Sequence, residues 1–536
     1  MKNRVFIGLA AAIFMLILKP SIGFSQVEMP QNKLDYALQI IKYAYVDTVN
    51  DKKLTNAGIR AMIKELDPHS MYISEEDMRE TNEPLVGKFD GIGVQFNIHE
   101  DTILITQTIP GGPSEKLGIR AGDRIVNIDG VAAAGVKITN NDVLKKLRGP
   151  KGTKVVVSIL RRSIAGLIDY EITRDQIPLF SIDATYMVRP QIGYIKISRF
   201  ADSTFEEFIS ALKKLKEQGM TSLILDLQGN GGGYLNRAVE LSDEFLSDGK
   251  KIVYTRGRTS APEDYIASTR GGWEKGKVAV LIDESSASAS EIVSGAIQDW
   301  DRGLIIGRRS FGKGLVQKPF MLPDGSSLRL TVAHYYTPSG RCIQKPYELG
   351  VEEDYDLDIS NRYKHGELFY KDSIHFDDTT SYYTKAKRIV RGGGGIMPDL
   401  FVPLDTTQTS QLYTDLLRKN VLNDFTITYT DSRRSELLKN FPDINAFRSG
   451  FNVDEKLMNE FLSSADKAGV KKDSAGIGMK ASGELIRLQL KALIARNLWD
   501  TAAYFQVINE INNAMNKAIQ AISDNTFEKF KIASAQ

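Results

Sequence analysis

Ser286-Ala287-Ser288-Ala289-Ser290-Glu291 lies between an apolar run, Lys277 to Asp283, and a helical pattern, Ile292 to Gln298. A serine on a strand-to-helix turn sits where backbone N–H groups are unpaired and the helix dipole favours negative charge, so an oxyanion can form there. Its hydroxyl is a poor nucleophile until a base takes the proton. Lys313 stands 25 residues beyond Ser288, in Phe311-Gly312-Lys313-Gly314, and Gln317 four further on. A lysine acts as a base only when its ammonium form is destabilised, and burial does this. The flanking Ile305-Ile306 and Leu315-Val316 favour such a setting. The Gln317 amide oxygen would orient the amine without drawing it back to its charged form. Asn230-Gly231-Gly232-Gly233 is a second turn, where Gly232 or Gly233 would offer one N–H to an oxyanion and Ala289 another. Spacing alone leaves Ser286 and Ser290 as alternatives to Ser288.

Alternating strands and helices must position these residues. Ile192–Ile197 and Ser222–Leu227 read as strands, as do Lys277–Asp283, Leu304–Gly307 and Ser327–Val332. Helical patterns fall at Phe205–Leu215 and Leu235–Leu246, the first behind a capping-box pattern, Ser203 to Glu206. The fold class expected is α/β, with an at least partly parallel sheet. Leu34–Tyr45 and Asn56–Leu66 read as helices, the second ended by Asp67-Pro68. Residues 85–175 are glycine-punctuated and strand-rich. Residues 345–391 are charged, aromatic and weakly periodic, an insertion before a return at 392–404. From 405 to 536 the pattern is mostly helical.

Composition excludes several classes. The 536 residues carry 69 basic and 67 acidic side chains, a net charge of +2 that points to no nucleic-acid partner. Hydrophobic content of 42% suits globular domains. Lys2 and Arg4 precede an apolar stretch, Val5–Leu18, and Gly23 and Ser25 fit a cleavage pattern. Residues 1–25 therefore read as a signal peptide and the protein as exported and periplasmic, or membrane-associated if the signal stays uncleaved. Cys342 is the single cysteine, so no internal disulfide forms, and it reads as a small buried hydrophobe rather than a nucleophile. With no His-Glu-x-x-His and no cysteine pair, no metal or cofactor is called for.

Two resemblances sharpen this. Gly91-Ile92-Gly93-Val94 and Leu117-Gly118-Ile119-Arg120-Ala121-Gly122-Asp123-Arg124-Ile125 resemble a PDZ domain over 85–175. Such a domain takes a peptide's C-terminal carboxylate in its glycine loop and the peptide strand on its exposed edge. The order of Leu66-Asp67-Pro68-His69-Ser70, those PDZ motifs, Arg148 to Thr153, Ile192 to Ile195, Leu225-Asp226-Leu227, Ser286 to Glu291, Phe311 to Gly314, Tyr336 to Arg341 and Pro398-Asp399 resembles the carboxy-terminal processing, or tail-specific, proteases of the S41 serine peptidases. The resemblance implies a protease core at 176–344 behind a helical region at 26–84. It implies Ser288 as nucleophile, Lys313 as general base and Gln317 as third member. Substrates would be proteins or peptides with exposed C-terminal tails. One departure is Gln228-Gly229-Asn230-Gly231-Gly232-Gly233, where the family usually has Arg-Asn-Asn-Pro-Gly-Gly. The insertion and the helical C-terminal region lie outside the common core; the latter is a candidate surface for self-association or an adaptor. Two rivals stand: a Ser-His hydrolase using His334, and a PDZ-containing periplasmic adaptor or chaperone without catalysis.

Overall fold

The computed structural model describes residues 29–161, 164–351, 353–376, 378–471 and 476–532. The proposed signal peptide lies outside them. The chain divides into two units, Met1–Glu65 and Leu66–Gln536. The described part of the first holds two helices, Met29–Ala44 and Asp51–Lys64, the second capped by Asn50, whose side chain accepts from the Lys53 N–H.

The second unit is built on a six-stranded sheet. Its order is Ile182–Arg189, Ile192–Ile197, Ser222–Asp226, Lys277–Ile282, Leu304–Gly307 and Leu400–Phe401, with every pairing after the first parallel. The central strands are apolar on both faces, which a sheet covered on both sides requires. The helices Thr204–Glu217, Leu235–Asp243 and Ala289–Asp299 cover one face through Phe208, Leu212, Leu241 and Ile292. The other face is covered from the far end of the chain, by Met515 and Ile522 of Asn513–Ser523 and by Phe527. Burying three such side chains is worth on the order of 5 kcal/mol, comparable to a domain's whole net stability. The C-terminal region thus completes the core, a role its own sequence pattern did not disclose.

A second, antiparallel sheet runs Met71–Ile73, Ser327–Tyr336, Lys251–Arg256 and Glu263–Ile266, with Leu315–Met321 also paired to Ser327–Tyr336. The segment after Glu65, read with the helices, therefore contributes a strand. Three residues are too few to show a period, and Met71–Ile73 exists because Ser327–Arg329 pairs with it. The capping-box reading at Ser203 also changes. The Ser203 side chain makes no cap bond and donates instead to Glu207 Oε1 at 2.6 Å, while Glu207 Oε2 accepts from the Ser181 and Ile182 N–H groups.

Residues Val94–His99, Thr102–Thr108, Arg124–Ile128, Lys154–Leu160 and Leu167–Thr173 form a third sheet around Ile103, Ile125, Val143 and Val157. Val94–His99 is its edge strand, paired on one side only. The long helices Val421–Asn440 and Ile477–Leu498 have their own core around Phe447, Phe461 and Leu490. They meet the third sheet through Arg124–Asp431 at 2.9 Å. The insertion is more ordered than its composition suggests. It carries the helices Glu353–Asp356 and Asp358–Lys364, and Arg362 donates to the Arg309 carbonyl at 2.7 Å. Cys342 is a half-buried free thiol, and burial pushes its pKa up, against reactivity.

Candidate active site

Ser288 is the N-cap of Ala289–Asp299, at φ 55° and ψ −111°. For a residue with a Cβ this is a strained conformation, costing about 1–3 kcal/mol, and the surroundings must hold it. The Ser286 hydroxyl donates to the Leu227 carbonyl at 2.8 Å and the Ser290 hydroxyl to the Asn230 carbonyl at 2.9 Å. Both flanking serines are thus committed to fastening this turn to the glycine turn. Ser288 instead lines a cleft of about 590 Å³, together with Gly231–Gly233, Lys313, Gln317 and Arg329.

A buried carboxylate joins the serine turn to the lysine loop. Glu291 accepts from the Ser288 N–H at 2.8 Å, the Lys313 N–H at 2.9 Å, the Gly312 N–H at 2.7 Å and the Ser310 hydroxyl at 2.5 Å. Burial pushes its pKa up, and these donors pull against that. The Tyr335 hydroxyl spans the Ser288 and Lys313 carbonyls, at 3.1 and 2.5 Å. Glu291 and Tyr335 were not singled out from sequence. The available signal was Ser288-x-x-Glu291, the spacing of a capping box.

Burial pushes the Lys313 pKa down and Arg329 adds to it, while Asp67 and Glu291 act in the opposite sense. Its Nζ donates to Gln317 Oε1 at 3.3 Å. Four extended residues span about 13 Å, so backbone proximity does not make this contact. Lys313 lies in the loop before the strand Leu315–Met321 and Gln317 within it, and a bulge between Val316 and Gln317 shifts the register beside them. Gln317 Nε2 donates to the His69 carbonyl. Asp67 shapes that turn, accepting from the Ser70 hydroxyl at 2.5 Å, the His69 N–H at 3.0 Å and the Thr331 hydroxyl at 2.8 Å.

The glycine turn needs a correction. The Gly232 N–H donates to Asn230 Oδ1 at 2.8 Å, so it is not a spare oxyanion donor. What Gly232 supplies is closeness. A Cβ there would fall 2.8 Å from Ser288 Cβ and 3.0 Å from the Ala289 nitrogen. The Gly233 and Ala289 N–H groups have no hydrogen-bond partner among the described residues. Asn230, fully buried, also accepts from the Ala287 N–H through its carbonyl at 3.0 Å. His334 lies mid-strand opposite Arg256 and Leu315, and is not among the residues lining the cleft.

At the third sheet, Gly91 ends the strand Lys88–Gly91, and Gly93 takes φ 74° just before the edge strand begins at Val94. The Ile92 carbonyl accepts from the Ser114 hydroxyl at 2.6 Å and the Gly93 carbonyl from the Ile109 N–H at 2.9 Å. Both carbonyls are therefore turned to the domain's interior.

Residues 191–357 match Peptidase family S41, 104–161 a PDZ domain, 21–77 the activating protease CtpB N-terminal domain, and 412–500 a family of unknown function. A carboxy-terminal-processing protease of Bartonella bacilliformis is 38% identical over 309 residues, 57% of this chain and 70% of that protein. The chain belongs to the carboxy-terminal processing proteases. CtpA of Bacillus subtilis is 34% identical over 345 residues, 63% of this chain and 73% of that protein. Among solved structures, a photosystem II D1 C-terminal processing protease shares 25% identity at a TM-score of 0.35, over 69% of this chain and 92% of that one. The chain is thus an S41 serine-type peptidase carrying a PDZ domain, with a mixed α/β core and helical terminal regions.

Proposed function

We propose that this protease is exported and cleaves protein substrates captured by their C-terminal tails, with Ser288 as nucleophile, Lys313 as general base and Gln317 orienting the lysine. One observation carries the reading: a buried lysine whose ammonium form is destabilised holds Gln317 in the cleft that Ser288 lines. Neutral Lys313 takes the Ser288 proton as the hydroxyl attacks the scissile carbonyl. The Gly233 and Ala289 N–H groups, both without partners among the described residues, receive the oxyanion. The protonated lysine gives its proton to the departing amine as the peptide bond breaks to leave an acyl-enzyme, and the lysine, neutral again, activates the water that releases it. The tail adds as a strand to the edge Val94–His99, its carboxylate at the N–H groups of Gly91–Val94. The basic start, the apolar Val5–Leu18 and the small residues Gly23 and Ser25 support export to the periplasm.

The test uses full-length protein and a substrate protein ending in an apolar tail. Ser288→Ala and Lys313→Ala should each lower kcat by about 10³-fold or more, and His334→Ala should leave it in place. Loss on His334→Ala with activity retained in Lys313→Ala would establish a Ser-His mechanism instead.

A further inference from the structure

We propose that Tyr355, acting through His69, is a positioning residue for Gln317; this rests on the role proposed above for Gln317. A glutamine amide has a donor end and an acceptor end. Turned by half a rotation, it would present its NH2 to Lys313 and engage the amine lone pair that must take the serine proton. The His69 carbonyl prevents this by accepting a hydrogen bond from Gln317 Nε2, which leaves Oε1 for Lys313. The orientation of the third member therefore depends on where one main-chain carbonyl stands.

The His69 ring holds that carbonyl in place from the other side. His69 Nε2 lies 2.8 Å from the Tyr355 hydroxyl, with the rings edge to face at 5.1 Å. Gln344 Nε2 donates to the same hydroxyl at 3.3 Å, which leaves the tyrosine's own proton free to reach His69 Nε2. An accepting Nε2 requires a neutral imidazole. Burial and the nearby Lys313 cation hold the His69 pKa down, to about 4.

Tyr355 is itself fixed. Its carbonyl accepts from Lys345 Nζ at 3.1 Å, the same ammonium sits 3.8 Å from its ring centroid, and the ring meets Phe311 edge to face at 5.9 Å. Lys345 in turn pairs with Asp358 at 3.1 Å. Gln344 Oε1 also accepts from the Gly314 N–H at 2.8 Å, next to Lys313. The insertion at 345–391 thereby reaches the chemistry, although neither His69 nor Tyr355 is among the residues lining the cleft. Its effect should fall on turnover rather than on substrate binding.

A double-mutant cycle tests this in the full-length protein with the tail-bearing substrate. Tyr355→Phe should lower kcat about tenfold in the native background. KM should stay within about twofold. In a Gln317→Ala background the same change should cost less than about twofold, because the amide it positions is gone. His69→Phe cuts the link from the other side while keeping the main-chain carbonyl, and reads the same cycle if Tyr355→Phe does not fold. Equal fold losses in both backgrounds, no loss in either, or an effect on KM alone would overturn the proposal. A Gln317→Ala enzyme with native kcat would instead strike at the role of Gln317 itself, and is told apart by that single variant.

Discussion

Two glycine turns serve two ends of the proposed reaction, and they are built in opposite ways. At Asn230–Gly233 the turn is closed in. The Asn230 side chain holds the Gly232 N–H, its carbonyl is bonded by Ala287 and Ser290, and a Cβ at Gly233 would lie 2.1 Å from the Phe200 carbonyl oxygen. At Gly91–Val94 the turn leads into an edge strand with one side unpaired, and the nearest atoms to a Cβ at Gly93 would be the Ile177 and Pro113 side chains and the Gly112 Cα, at 3.1 Å or more. A turn that must stabilise charge in a transition state gains from having no freedom left. A turn that must admit varied tails keeps room and an open edge. The first should therefore govern kcat and the second KM.

Of the two turns, filling the closed one should have the larger effect. Gly232→Ala, at φ 101° and in contact with Ser288, should lower kcat on the order of 100-fold in steady-state assays. A variant with native kcat would show that closeness at Gly232 is not needed. Filling the open turn should do less, and to a different constant. Gly93→Ala, at φ 74°, should raise KM about tenfold with kcat nearly unchanged, and weaken binding of a tail peptide in calorimetry by the same factor. A fall in kcat alone would erase the distinction between the turns.

The pH dependence should separate them further. On the proposed mechanism turnover needs neutral Lys313, so kcat should rise with pH along a limb lying below the ordinary lysine value of 10.5. Arg329 is a cation that disfavours the ammonium form, so Arg329→Met should raise the Lys313 pKa and move that limb to higher pH. Binding of the tail peptide should show no matching shift. The smallest effect concerns stability. His69 titrates near 4 when folded and near 6.5 when unfolded, so the unfolded chain binds more protons between those values. Stability should be full above 6.5 and fall as pH drops toward 4. In denaturant unfolding, His69→Phe should flatten that part of the profile.

Much of the core was legible in local pattern. Ile192–Ile197 and Leu304–Gly307 are strands over the ranges their apolar runs indicate. Continuous burial leaves such runs no other period to follow. The strands Lys251–Arg256 and Leu315–Met321 went unread. Leu315–Met321 exposes Phe320 and Met321 and passes through a bulge, so it shows neither a buried run nor clean alternation. The donor assignment at Gly232 failed for a related reason. A glycine shows that the backbone is free to turn, not which acceptor its N–H will meet.

The residue order set out a serine, a lysine, a glutamine and two glycine turns, and its resemblance to the tail-specific proteases implied their roles. Motif order is a property of covalent spacing and short-range pattern. Which serine faces the cleft was decided by the carbonyls of Leu227 and Asn230, which engage the hydroxyls of Ser286 and Ser290 some 60 residues away. Which way Gln317 presents its amide was decided by His69, 248 residues earlier, with the Tyr355 hydroxyl against the His69 ring. Burial of Lys313 likewise depends on Asp67–Ser70, Arg329 and Tyr335 converging on it. Hydrogen bonds and desolvation act between atoms close in space, and only the folded chain says which atoms those are.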